Sequence, residues 1–253
     1  MNFRLKWRAA LSALSIVMMA TTAQASVVLS GTRVIYSTQE REVTLKLTNE
    51  GQTPVLVQSW IDDGDPNARP DRIKVPFTLT PPLFRLDAHK GQTLRIIHTQ
   101  EAIPQDRESL FWLNALEVPP RAEGDGASTN KLQLAIRSRI KLFLRPAGLP
   151  GTANDAVSEV QWRFVKNAQG GYALAVRNPT PYHVTFSKVS ATTLGKTYAN
   201  EEGFMVAPHA TMEVDVGHVT AVGNEIPSQV RYTTVNDYGA AVAGAFHGDA
   251  KQK

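Results

Sequence analysis

The sequence predicts an all-β fold built from immunoglobulin-like sandwiches. Apolar residues recur at period two over short stretches, Gly, Pro and Asn separate those stretches, and no comparable amphipathic helical pattern occurs. In the first half, the alternating sets are Val43, Leu45 and Leu47; Leu110, Trp112 and Leu116; and Leu132, Leu134 and Ile136. In the second half they are Val160, Trp162 and Phe164; Tyr172, Leu174 and Val176; and Met212, Val214 and Val216. Each reads as a half-buried strand.

Ahead of the first set stands a segment of another kind. Residues 1–25 combine Arg4, Lys6 and Arg8 with an apolar run from Ala9 to Ala20 and end on Ala23-Gln24-Ala25, the pattern of a signal peptide. The run is too short for a permanent span, and no later stretch reaches the ~20 apolar residues a spanning helix needs, so no membrane insertion is expected. The remaining 228 of the 253 residues are enough for two domains. Pro146-Ala147-Gly148-Leu149-Pro150-Gly151 interrupts the strand pattern near the middle and reads as a semi-rigid elbow. The expected divisions are therefore 26–146 and 147–253, with the small, polar tail from Ala240 to Lys253 frayed.

Composition removes several classes of function. The net charge of +4 lies mostly in the leader; without its three cations, 24 basic residues face 23 acidic ones, which gives no reason to expect nucleic acid as a partner. The absence of cysteine excludes thiol catalysis, thiolate metal sites and disulfides, which domains of this size can do without. Gly195-Lys196-Thr197 looks like the end of a phosphate loop, but Ser190 stands where the earlier glycine is required. Asp63, Asp65 and Asn67 mimic the start of a calcium loop, yet Ala68 replaces its turn glycine and Lys74 its bidentate carboxylate, so the segment reads as a solvated hairpin turn. The six histidines form no helical metal pair and no nucleophile elbow. No cofactor is expected.

The most informative segment is Leu132-Gln133-Leu134-Ala135-Ile136-Arg137-Ser138-Arg139-Ile140-Lys141, a long strand with one face of Leu, Leu, Ile, Ser and Ile and the other largely polar. Around it, Thr32-Arg33-Val34-Ile35-Tyr36, Pro104-Gln105-Asp106-Arg107-Glu108-Ser109-Leu110-Phe111 and Ile140-Lys141-Leu142-Phe143-Leu144-Arg145-Pro146 closely resemble the periplasmic chaperones of the chaperone–usher pilus pathway, the PapD-like family. Asn178-Pro179-Thr180-Pro181-Tyr182, Val184-Thr185-Phe186 and Asn236-Asp237-Tyr238-Gly239 extend the resemblance through the second half.

The resemblance implies two immunoglobulin-like domains in a boomerang, a periplasmic location and no enzymatic activity. It implies that strand 132–141 completes the open sandwich of a pilus subunit, with Leu132, Leu134 and Ile136 entering the subunit's groove, a form of strand addition. Arg33 and Lys141 would anchor the subunit's terminal carboxylate. Glu108, Arg145 and Asp237 would form an ion network fixing the domain angle. Pro54, Leu56, Thr80, Pro81, Pro82 and Leu83 would face the outer-membrane usher. Residues 121–130 resemble the short loop of the branch serving rod-like pili. An unpartnered edge would also favour self-association of the free protein. The other readings are a sandwich-fold adhesin or pilus structural subunit and, further off, a hydrolase with a spatially assembled triad.

Overall fold

The computed structural model describes residues 26–120 and 134–248. The first half contains β1 (Val27–Leu29), β2 (Arg33–Ser37), β3 (Val43–Asn49), β4 (Val55–Asp62), β5 (Phe77–Thr80), β6 (Leu83–Leu86), β7 (Gly91–His98), β8 (Ser109–Val118) and β9 (Ile136–Arg145). The strands form a four-stranded sheet, β1-β3-β7-β5, and a five-stranded sheet, β2-β9-β8-β4-β6. Between the sheets lies one core, in which Tyr36, Leu47, Leu94, Leu113, Leu142 and Leu144 are fully buried.

The second half opens with α1 (Ala153–Ala156), a single turn capped by Thr152, whose Oγ1 accepts from the Asp155 amide. It continues with β10 (Gln161–Lys166), β11 (Tyr172–Arg177), β12 (Val184–Thr193), β13 (Lys196–Asn200), β14 (Phe204–Val206), β15 (Thr211–Val219), β16 (Gln229–Val235) and β17 (Ala241–His247). Its sheets are β10-β11-β15 and β13-β12-β16-β17, with β14 on β12. A second core gathers around Trp162, Phe164, Leu174 and Phe186. The fold is thus all-β, two sandwiches each with its own core.

Four sequence-based expectations need correction. The long strand starts at Ile136, not at 132, and runs on to Arg145. Leu134 and Ala135 precede it without pairing, and 132–133 lie outside the described residues, as do the leader and residues 121–130. The reason is that β8 supplies partners only from Ser109, opposite Leu144, to Glu117, opposite Ile136. The expected frayed tail is a strand as far as His247: β17 pairs with β16 along seven residues, and Gly244 lies where a Cβ would sit 2.3 Å from the Tyr232 ring. A glycine there lets the Tyr232 ring lie flat on the strand.

The 63–67 segment is not a hairpin. It begins the connection from β4 in one sheet to β5 in the other, with Asp62 and Asp65 capping its turns through Gly64 N (2.8 Å) and Asn67 N (2.8 Å). In β8, finally, the core row is Phe111, Leu113 and Ala115, while Leu110, Trp112 and Leu116 face the opposite side. That opposite row is half-buried and, apart from Asn114, apolar, so alternation could not identify the inner one.

Gly195-Lys196-Thr197 belongs to the tight turn from β12 to β13. Leu194 and Gly195 both have positive φ (48° and 72°), as a two-residue hairpin between Thr193 and Lys196 requires.

Candidate functional site: an open strand edge beside a cation pair

Strand β9 is paired differently along its two edges. Against β8 it is bonded from Ile136 to Leu144; against β2 it is bonded, in parallel, only from Lys141, opposite Arg33, to Arg145, opposite Ser37. Among the described residues nothing pairs with the β2 side of residues 136–140. Their outward N–H and C=O groups form a template for another strand, and β2 closes it off at Arg33. Along this stretch Ile136, Ser138 and Ile140 share the parity of the core-facing Leu142 and Leu144, whereas Arg137, Arg139, Lys141, Phe143 and Arg145 point the other way. Leu134 is 66 % exposed and Ile136 39 %, large apolar side chains left in water.

Where the template stops, two cations lie side by side. Arg33 donates from Nη1 to the Val235 carbonyl (2.8 Å), and Lys141 Nζ donates to Thr185 Oγ1 (3.3 Å), so both lean towards the second domain. Arg33 Nε is buried without a hydrogen-bond partner among the described residues. Neither cation forms an ion pair with a described acid. Burial pulls the Arg33 guanidinium below its ordinary value, against the field of Asp237. Burial and the neighbouring Arg33 charge together bring the Lys141 ammonium down to about 8. A buried donor with no acceptor next to a desolvated ammonium is a site prepared for an anion, and a carboxylate would satisfy both.

Glu108, Arg145 and Asp237 are brought together from three segments. Arg145 Nε donates to Glu108 Oε1 (2.7 Å), while its Nη1 and Nη2 donate to Asp237 Oδ2 (2.8 Å) and Oδ1 (3.0 Å), a forked pair across the domain boundary. Burial opposes the Arg145 charge, but the Asp237 hydrogen bonds and the fields of Glu108 and Asp237 outweigh it and hold the guanidinium above its ordinary value. Glu108 Oε2 accepts from the His183 amide (2.7 Å) and lies 3.2 Å from its Nδ1. The His183 ring packs on Phe143, centroids 5.3 Å apart. His183 lies between the Asn178–Tyr182 and Val184–Phe186 strings, but no local pattern marks it as a partner of Glu108. Only the meeting of the domains gives it partners.

Pro54, Leu56, Thr80, Pro81, Pro82 and Leu83 lie near the other end of the same five-stranded sheet. The Thr80–Pro82 stretch carries the chain from β5 in one sheet to β6 in the other, and the Pro82 carbonyl accepts from Ser59 N (2.8 Å). Leu83 stands opposite Gln58, two residues from Leu56, on the outward face, and both leucines are exposed. Pro54 precedes β4 directly.

Between these leucines and the cation pair lies a cluster with no signature in the sequence. Arg137 sits over the Trp60 ring (4.9 Å) and Arg139 over Trp112 (4.1 Å). Beneath them the Asp62 carboxylate is fully buried. The faces of β4, β8 and β9 that carry these residues could have been inferred from parity, but their alignment depends on the pairing of three strands distant in sequence.

Residues 26–150 match the family model described as "Pili and flagellar-assembly chaperone, PapD N-terminal domain", and residues 155–246 match "Pili assembly chaperone PapD, C-terminal domain". A probable fimbrial chaperone of Escherichia coli K12, YadV, is 42% identical over 246 residues, covering 96% of this chain and 98% of that protein. The chaperone protein FimB/FhaD of Bordetella pertussis is 43% identical over 246 residues, covering 92% and 95%. Among solved structures, the YadV crystal structure superposes with a TM-score of 0.71 at 40% identity, covering 88% of this chain and all of that one. A complex of Salmonella enterica SafA pilin with the SafB chaperone gives 0.71 at 31% identity, covering 90% and 98%.

Proposed function

Since this chain belongs to the PapD-type family of pilus-assembly chaperones, we propose that it receives pilus subunits in the periplasm by completing their sandwich with its own strand and passes them to an outer-membrane usher. The observation that supports this most is the open edge of residues 136–140 ending at the Arg33–Lys141 pair. A subunit's last strand lies along that edge, and its terminal carboxylate sits between the two cations. Because the cations stand at the far end of the edge, where β2 begins, the added strand must run in the same direction as β9.

Anchoring one end fixes the register, and register decides which side chains meet. A shift of one residue would turn the apolar row of Leu134, Ile136 and Ile140 away from the groove and bring Arg137 and Arg139 into it. Leu132 continues that row in the sequence. Each charge-assisted hydrogen bond to the carboxylate contributes roughly 1.5–3 kcal/mol, and each fully buried Leu or Ile a similar amount, before ordering costs. The Glu108–Arg145–Asp237 network holds the cleft at one angle, and the exposed Leu56 and Leu83 beside the proline turn are offered to the usher. The family assignment leaves the adhesin and structural-subunit readings without support.

Recovery of pilus subunits with the tagged chaperone from periplasmic extracts tests the reading. Arg33→Ala and Lys141→Ala are expected to fold normally and to recover no subunit. Undiminished recovery by both folded variants would remove the anchor from the account.

A further inference from the structure

The segment of β9 that is free on one edge carries an unusual brace on its outward row. Arg137 donates from Nε (2.9 Å) and Nη2 (2.7 Å) to Asn114 Oδ1, and from Nη1 to the Pro66 carbonyl (2.5 Å). Arg139 donates from Nε (3.0 Å) and Nη2 (2.6 Å) to the two oxygens of Asp62, and from Nη2 to the Gly64 carbonyl (3.0 Å). Asn114 Nδ2 in turn donates to Asp62 Oδ2 (2.8 Å), and both Asp62 and Asn114 are fully buried. Asp62 stands on β4, two strands away from β9, so the brace spans β4, β8 and β9.

A strand paired on one side only is prone to fray and to slip. Here a slip by one residue would swing both guanidinium groups to the opposite face, giving up every one of these hydrogen bonds together with both ring stacks. It would also leave the Asp62 carboxylate buried without a cation. The Arg137 and Arg139 hydrogen bonds thus run along the outer face of the sheet to residues of the chain itself.

We infer that Asp62 and Asn114 are positioning residues for strand donation: through Arg139 and Arg137 they hold residues 136–140 flat and in register, so that the Ile136–Ser138–Ile140 row is aimed before a subunit arrives. The inference rests on reading residues 136–140 as the donated edge. It differs from the anchor in what it controls, namely the order of the edge and not the grip on the carboxylate.

Asp62→Asn and Asn114→Ala test it, with Arg139→Lys as a milder variant that keeps a charge for Asp62 but loses the fork and the ring stack. Three quantities are measured: amide exchange along the chain, the association rate with the subunits that co-purify with the wild-type protein, and acetate binding followed at Lys141 Nζ. The expected result is at least tenfold faster exchange at those amides of residues 137–140 that bond to β8, unchanged exchange in β3 and β7, subunit association slowed at least fivefold, and acetate binding no weaker than wild type. Arg139→Lys should fall between, its association rate tracking its exchange rate. A lower unfolding temperature with no selective gain in exchange at 137–140, or full association in folded variants with a loosened segment, would overturn the inference. Wild-type protein that recovers no subunit would instead count against the chaperoning role, while the exchange comparison still decides whether the brace orders the segment.

Discussion

Lys141 holds a charge that burial and the neighbouring Arg33 both oppose, and its value of about 8 makes the anchor sensitive to mildly alkaline conditions. A carboxylate bound there favours the ammonium, so binding takes up a proton above that value. Subunit capture should be level below pH 8 and then weaken by up to tenfold per pH unit, whereas Lys141→Arg should remove the dependence; titrating capture between pH 7 and 9.5 reads this directly. The same depression acts on stability with a definite sign. The cost of burying a charged Lys141 is present in full below about 8 and is relieved as pH rises towards the value of an unfolded lysine. Asp62 behaves in the opposite sense. Burial would raise its value, but hydrogen bonds from Arg139, Asn114 and the Gly64 amide outweigh that and hold it below the ordinary aspartate range. Its contribution is therefore present above the unfolded value and lost as pH falls through the folded one, so acid unfolding followed by tryptophan fluorescence should be less steep in Asp62→Asn.

At the scale of elements, β9 serves the core with one stretch and the outside with another. Leu142 and Leu144 are fully buried, and the same row continues through Ile140 to Ile136 and Leu134, which meet water. Replacing Leu134 or Ile136 with Glu should leave thermal unfolding within about 0.5 kcal/mol of wild type, as expected for exposed sites, while recovery of subunits drops at least tenfold because a charge would enter an apolar groove. Thermal melts paired with co-purification test this, and normal recovery would show that the row does not enter a partner. Strand β17 makes a contrasting case. Gly244→Val would drive a side chain into the Tyr232 ring, which itself stacks on Trp162 with centroids 5.7 Å apart, and should lower stability by roughly 1–3 kcal/mol in chemical denaturation.

Across the whole molecule, the described contacts between the two sandwiches include the Glu108–Arg145–Asp237 ion network and the Glu108–His183 hydrogen bond. Glu108 is almost completely buried, Arg145 retains 21% and Asp237 31% side-chain exposure. Among the described residues, removing the Glu108 carboxyl leaves Arg145 with Asp237 as its one acid partner and the His183 amide without an acceptor, so Glu108→Ala should cost about 3 kcal/mol. Asp237→Ala is expected to be milder and to act on coupling: calorimetry should resolve two transitions where the wild type gives one, and small-angle scattering should report a broader range of shapes. A single unshifted transition would mean that the network does not join the domains. The Arg33 bond to Val235 and the Lys141 bond to Thr185 tie the anchor to this same junction, so loosening it should weaken capture as well.

Patterns that repeat over a few residues were legible before any folding. Period-two alternation and turn residues are short-range signals, so the β-rich character and the places of β3, β8, β10, β11 and β15 could be read directly. The motifs around Arg33, Glu108, Arg145 and Asp237 marked the family for the same reason, each being a contiguous string. Whatever depends on which strands become neighbours emerged with the folded chain. The start of β9 at Ile136 follows from where its pairing with β8 ends; the place of β17 follows from its pairing with β16; the half-burial of the outward row of β8 follows in part from Arg139 on Trp112 and Arg137 on Asn114. The brace from Asp62 through Asn114 to Arg137 and Arg139 is of this kind. Its members are separated by as many as 77 residues and share no motif, because strand pairing brings together side chains that no local pattern in the chain connects.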